Sequence, residues 1–276
     1  MRKRISFVLV LLSILCFTAA FVLSFHKEFE RLLLEFTLNQ STKGFFANSL
    51  HIEKAYLDWH LGMHVRHVAG KFQSEAGPIP LVIQSIESEG PLTDIFSKDG
   101  IALHFEGVRP EVSKRQGING IVHFKAGKDW SFHFKGDVQS LDLGEIEWLS
   151  PENLTGSVGE MRGLVDIRTN SRGEISFSSE LRIQEPGGRL QSRFFDILTP
   201  YLPQLATKEK VRQVAAAGGL VGFRDASLKA DLVESDKMKA FLHISIPDYN
   251  LDLNLNMEIR LDENAFEAWR SLRPDD

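Results

Sequence analysis

The feature that most constrains the fold is a strict alternation of apolar and polar residues between positions 251 and 261. Every second residue there is apolar: Leu251, Leu253, Leu255, Met257, Ile259 and Leu261. The residues between them are Asp252, Asn254, Asn256, Glu258 and Arg260. Because successive side chains of a β-strand point to opposite faces, this segment predicts a strand with one buried and one solvated face.

Shorter segments with the same period recur from residue 49 onward. They predict strands at about residues 50–59, 63–72, 79–86, 101–105, 121–124, 130–134, 138–143, 164–167, 175–183, 226–233 and 238–246. Gly and Asp residues mark the turns between them, and the tetrapeptide Ala126-Gly127-Lys128-Asp129 predicts a hairpin. The predicted fold class is therefore mainly β with a few helices, arranged as an antiparallel meander.

Two segments follow a helical period instead. Residues 193–217 predict a helical insertion, which Pro200 and Pro203 divide into two pieces and which Gly218 and Gly219 end. Residues 26–48 predict an amphipathic helix and a linker, with apolar residues such as Leu32 at helical spacing. That helix has two interpretations: it packs against the domain, or it lies on a membrane surface.

The N-terminus predicts a membrane anchor. Arg2, Lys3 and Arg4 precede an apolar run over residues 5–25, and about 20 such residues span a bilayer as a helix. The basic start places the N-terminus in the cytoplasm and a β domain, residues 49–270, in the periplasm. A signal peptide cleaved after Ala20 is the competing interpretation.

Composition and motifs exclude several classes of function. The net charge of -5, without a basic block after residue 4, argues against nucleic-acid binding. The single cysteine, Cys16, lies in the apolar run, so the domain has neither a disulfide nor a thiolate metal site. No phosphate-binding loop or nucleophile elbow occurs. We therefore predict neither an enzyme nor a cofactor.

Two groups of polar residues are candidates for chemical sites. His60, His64 and His67 are the best metal candidate, but on a strand the first two share one side and the third faces the other. Glu145 and Glu147 are predicted on one solvated side of a strand, where they have no catalytic role. The sequence therefore predicts no metal and no catalytic residue.

The layout resembles the AsmA-like proteins of Gram-negative envelopes. Two stretches carry the resemblance: residues 62–110, with "IPLVIQSIESEGPLTDIF", and residues 154–261, with "PGGRLQSRFFDILTPYLP" followed by paired strands. The chain also resembles the smaller GspN-like accessory proteins of type II secretion. The resemblance implies a sheet curled like a taco around an apolar groove, and larger relatives are implicated in carrying phospholipid between membranes.

The resemblance and the strand parity together predict a lipid groove. The 20 phenylalanines have two interpretations, a Phe-rich core or the lining of such a groove. The predicted inner-face residues are Val165, Ile167, Phe177, Leu242, Ile244, Leu253 and Leu255, with Phe194, Phe195, Leu198 and Leu202 at the mouth. The helical segment either caps this groove or plugs the core.

Two functions follow for an inner-membrane protein of this kind. The first is lipid binding or lipid transfer in envelope maintenance, with phospholipid or another acyl lipid as the partner. The second is a structural accessory of an envelope or secretion assembly, which contacts larger envelope proteins or its own copies through sheet edges.

Overall fold

The computed structural model describes residues 28, 30–36, 38–39, 49–74, 77–125, 130–172, 174–202, 205–234 and 237–260. The predicted anchor at residues 5–25 lies outside these ranges. Among the described residues, no helix combines the length and the apolar character needed to cross a membrane.

The described chain forms one open antiparallel sheet of 13 strands. The strands are β1 (His51–Leu57), β2 (Gly62–Ser74), β3 (Gly77–Pro91), β4 (Ile101–Pro110), β5 (Gly117–Lys125), β6 (Ser131–Asp142), β7 (Val158–Asn170), β8 (Ile175–Ile183), β9 (Gly188–Gln191), β10 (Leu220–Phe223), β11 (Asp225–Glu234), β12 (Lys237–Ile246) and β13 (Leu251–Arg260). Eight strands, β1 to β8, pair in sequence order, and β11, β12 and β13 continue the sheet beside β8. The prediction of a mainly β antiparallel meander is confirmed.

An insertion, residues 184–224, separates β8 from β11. It contains the short pair β9 and β10 and the helices α2 (Phe194–Leu198) and α3 (Leu205–Ala216), with a 3-10 turn at Thr199–Tyr201 between them. Gly218 and Gly219 follow α3 with φ angles of 68° and 76°, a conformation that favours glycine. A shorter helix, α1 (Pro151–Leu154), precedes β7.

Two hydrophobic clusters hold the sheet, one toward each end. The N-terminal cluster comprises Leu34, Leu50, Ile52, Ala55, Met63, Val65 and Val68. The C-terminal cluster joins the inner faces of β6–β13 to the insertion, and its least exposed members include Phe195, Val211, Val214, Ile244, Ile246, Leu253 and Leu255. Both clusters have a helix on the sheet, so each end of the apolar face is covered.

The N-terminal helix, whose described residues are 28, 30–36, 38 and 39, lies along the edge strand β1. Asn39 exchanges two hydrogen bonds of 2.8 Å with the backbone of Leu50. The Glu35 carboxylate accepts from the Ile52 amide at 2.8 Å, and the Glu30 carboxylate accepts from the Leu57 amide at 3.3 Å. The helix therefore runs antiparallel to β1 and satisfies backbone groups that an edge strand leaves unpaired.

The first four strands do not keep a strict alternation. Buried or core-packed residues are three positions apart in β2, at Val65 and Val68, and in β3, at Ile83 and Ile86. The alternation of buried and exposed residues therefore changes phase in each of these strands, along a line that crosses neighbouring strands. His67, with a φ angle of 54°, and Gly107, with 64°, lie on this line, where the backbone departs from regular strand geometry.

The structure corrects two sequence predictions. Residues 138–143 do not form a separate strand, because β6 runs unbroken from Ser131 to Asp142. Glu145 and Glu147 lie in a 3-10 helix, Leu143–Leu149, and not on a strand. Asp142 begins that helix with a capping box in which the Glu145 carboxylate accepts from the Asp142 amide at 3.0 Å.

Candidate apolar site

A row of mostly small residues crosses the apolar face of the sheet. Each member lies opposite the next in the strand register, from β4 to β13: Phe105, Gly120, Gly136, Val165, Ser179, Ala230, Ala240 and Met257. Eight strands at the usual spacing make this row about 34 Å long. The row forms a floor between larger apolar side chains on both sides, and Phe105, Ser179, Ala230, Ala240 and Met257 are buried within it.

Two phenylalanine rings fill the floor at its glycine end. A Cβ atom at Gly120 would lie 2.7 Å from Cζ of Phe105, and one at Gly136 would lie 2.9 Å from Cζ of Phe134. The two rings stack at a centroid distance of 5.4 Å and an interplanar angle of 10°. The two glycines therefore make room for a stacked aromatic pair.

The residues beside this pair form a half-buried region that we call the central apolar stretch: Val122, Phe124, Phe132, Phe134 and Phe177. The register places all five on one face, because Val122 lies opposite Phe134 and Phe124 lies opposite Phe132. Phe177 joins them through Ile167, which lies between Phe134 and Phe177. Apolar area that stays partly exposed between two covered ends is the feature expected of a hydrophobic binding surface.

The predicted groove residues divide between two environments. Leu242, Ile244, Leu253 and Leu255 pack with Phe195, Leu198 and Leu202 inside the C-terminal cluster. Leu255 is 1% exposed and Phe195 is 0% exposed, so the insertion fills this part of the face. The helical segment therefore packs into the core against β12 and β13, in the manner that the core-plug interpretation describes.

Of the remaining predicted residues, Phe177 belongs to the central apolar stretch and Ile167 lies opposite it in the register. Ile167 is buried, whereas Val165 and Phe177 are half-buried and pack at the margin of the C-terminal cluster. Phe194 is also half-buried and meets Phe195 edge to face at 5.7 Å. Sequence reasoning missed Phe124, Phe132 and Phe134 as site residues, although their alternation within the predicted hairpin already placed them on one face.

The solvated face carries a polar depression of about 740 Å³ beside β7. Its charges are paired: Arg115 contacts Glu160 at 2.6 Å and Asp142 at 3.5 Å, and Arg162 contacts Glu160 at 2.6 Å. The hydrogen bond from Arg162 lowers the pKa of the Glu160 carboxyl. An ionised carboxylate held by two guanidinium groups cannot serve as a general acid near neutral pH.

The three candidate metal-ligand histidines lie in three different environments. His60 lies in the turn after β1, His64 stacks on Tyr56 at 4.9 Å, and His67 faces Glu53 at 3.5 Å. In the described part of the chain, no group of three or more His, Cys, Asp or Glu residues could hold a metal ion.

Comparison with known proteins adds no relative to this description. No family model, no curated protein and no solved structure matches the chain. The chemistry of the site is therefore interpreted from the described residues themselves.

Proposed function

We propose that this chain is a membrane-anchored periplasmic protein that binds acyl lipid on the apolar face of its sheet and acts in lipid transfer. The single observation that carries the proposal is the central apolar stretch, which is half-buried between two ends that helices cover. A taco-like curl of the sheet, as the AsmA-like resemblance implies, would turn this face into a groove.

The chemistry of the stretch suits a hydrocarbon ligand. Its five side chains are a valine and four phenylalanines, which offer large apolar area without a hydrogen-bonding group. Transfer of an acyl chain from water to such a surface is favourable by about 0.8 kcal/mol for each methylene that becomes buried.

A site-specific photo-crosslinking experiment tests this proposal. A photoreactive residue at Phe132 should capture phospholipid in the full-length, membrane-extracted protein. The matched position on the same strand is Lys135, which is exposed on the opposite face and should capture no lipid. A crosslinker at Leu255 should capture only protein, since the insertion covers this residue.

The outcome at Phe132 decides the proposal. Lipid bound there and absent at Lys135 supports a lipid-binding face. Protein crosslinks alone at Phe132, together with native mass spectra free of bound lipid, would overturn the proposal and leave the accessory function.

The accessory function has one observation in its favour. The strand order ends at β1 and β13, and the N-terminal helix lies along β1. In the described part of the chain, β12 is the strand that pairs with β13, which leaves its other edge for a further strand. A partner or a second copy that adds a strand to β13 would use this edge.

A further inference from the structure

The turn between β1 and β2 is rigidly built around one carboxylate. Oδ1 of Asp58 accepts from the amides of His60 and Gly62, each at 2.8 Å, and Nε2 of His64 lies 3.3 Å from Oδ2. The Asp58 amide donates to the Gly62 carbonyl, and the Leu92 amide donates to the Leu61 carbonyl at 3.0 Å. The Asp58 carboxylate is thus directed at the backbone, and the turn has a fixed shape.

The residues at the outer corners of this turn are apolar. Trp59 is 88% exposed, the highest value among the large hydrophobic residues that the structure describes, and Leu61 is 49% exposed. Leu61 also has a φ angle of 63°, a left-handed conformation that Gly, Asn or Asp adopt with less strain. Neither side chain contributes to a core, so folding alone does not account for a tryptophan and a strained leucine here.

The N-terminal helix shows where the β1–β2 turn lies relative to the predicted anchor. Because the helix runs antiparallel to β1, its residue-28 end lies beside Leu57, which immediately precedes the turn. Only two residues, His26 and Lys27, separate the end of the apolar run at residue 25 from Glu28. The turn therefore lies at the end of the sheet from which the chain continues toward its predicted anchor.

We propose that the β1–β2 turn is a second membrane contact, in which Trp59 and Leu61 insert into the lipid interface next to the anchor. Tryptophan is favoured at this depth because its ring is apolar and its N–H remains hydrogen-bonded to headgroups or water. The proposal rests on the membrane attachment in the proposed function. The rigid turn would provide a second point of attachment and so set the orientation of the sheet relative to the bilayer.

The test compares two exposed positions at opposite ends of the sheet in the full-length chain. Cys16, the single cysteine, is first replaced by serine, and a spin label is attached to His60→Cys or to Val112→Cys. Val112 is 85% exposed and lies in the β4–β5 connection, at the end of the sheet away from the turn. Both proteins are reconstituted in phosphatidylethanolamine–phosphatidylglycerol vesicles.

We expect the label at position 60 to collide with oxygen, which concentrates in lipid, more often than with a water-soluble nickel chelate. The label at position 112 should show the opposite order. Water-like values at both positions in vesicles that carry the protein would overturn the proposal and leave membrane attachment intact. Failure of the protein to float with the vesicles would overturn both, and protection of position 60 from both reagents would overturn the lipid contact in favour of a protein partner.

A double substitution separates the two side chains from the turn itself. In the His60→Cys protein, Trp59→Ser with Leu61→Asn should move the label into water, because the apolar corners are lost. Asn tolerates the left-handed conformation, so the turn and the thermal stability of the domain should be retained. An unchanged oxygen-to-nickel ratio in this variant would show that Trp59 and Leu61 do not hold the turn in lipid.

Discussion

At the scale of single residues, the paired glycines of β5 and β6 decide whether the aromatic floor can form. A Cβ atom on Gly120 would lie 2.2 Å from the carbonyl oxygen of Lys135, a backbone atom that cannot move without displacing β6. Gly222 in β10 is the matched control, since a Cβ atom there meets nothing within 4 Å.

Gly120→Ala should therefore lower the free energy of unfolding by about 1–3 kcal/mol through overpacking. Gly222→Ala should be neutral or stabilise by up to about 1 kcal/mol, because alanine loses less conformational entropy in a strand. Chemical denaturation of the two variants measures the difference. Equal effects would contradict the close packing above Gly120.

Asp166 on the solvated face provides a pH-dependent contribution. Hydrogen bonds from Arg168, at 2.9 Å, lower the pKa of the Asp166 carboxyl, and His133 at 3.2 Å acts in the same direction. Since the folded-state pKa is lowered, the ionised carboxylate stabilises the fold above its ordinary pKa. This contribution is lost as the pH falls through the lowered value.

Asp166→Asn should consequently destabilise the protein at pH 7 and have a much smaller effect near pH 2–3. Asp248→Asn, which alters an exposed residue of the 3-10 turn before β13, should change stability little at either pH. Denaturant midpoints at the two pH values test this. An Asp166→Asn effect that stays constant with pH would exclude the assigned ion pair as its cause.

At the scale of elements, the accuracy of sequence reasoning followed the regularity of the strand. The predicted bounds of β8 and β13 agree with the structure almost to the residue, because the apolar residues of each strand keep one parity, without interruption in β13 and with Ser179 as the one exception in β8. In β2 the irregular backbone at His67 shifts the phase of the alternation, so a strict two-residue period places Val65 and Val68 on opposite faces although both are buried in the N-terminal cluster. The sequence of one strand cannot reveal such a phase shift when it depends on the neighbouring strands.

Other differences have their own physical reasons. β9 and β10 contain only four residues each, too few for a periodic signal to stand out. The 3-10 helix after β6 did carry a local signal, an Asp followed three residues later by Glu, which is typical of a capping box. The candidate site could not be predicted without the strand register, because Phe105 and Phe134 come together only through the pairing of Gly120 with Gly136.

The last strand gives the clearest element-scale prediction. Leu255 is buried between the sheet and the insertion, whereas Asn256 is exposed on the other face. Leu255→Asp should destabilise by about 3–5 kcal/mol, because an unpaired charge would be buried. Asn256→Asp should stay within about 0.5 kcal/mol of the parent protein. Thermal denaturation separates the two, and similar effects would contradict the assigned faces.

At the scale of the whole molecule, the two hydrophobic clusters suggest two cooperative regions on one sheet. The N-terminal cluster is formed by the N-terminal helix with β1–β3, and the C-terminal cluster by β6–β13 with the insertion. Most of the central apolar stretch lies on β5 and β6, and Phe177 on β8 packs against the C-terminal cluster. In an open meander each strand contacts mainly its neighbours, so loss of structure at one end is transmitted to the other only strand by strand.

Val65 and Val214 allow a matched test of this arrangement. Each valine is 0% exposed, and each belongs to a different cluster. Replacement by alanine removes the same two methyl groups at both sites and should cost about 1–3 kcal/mol. In native-state hydrogen exchange, Val65→Ala should accelerate exchange in β1–β3 and spare β12 and β13, whereas Val214→Ala should have the opposite pattern. A uniform acceleration across all strands by either variant would show instead that the sheet unfolds as one unit, and the central apolar stretch would then be an ordinary part of a single core.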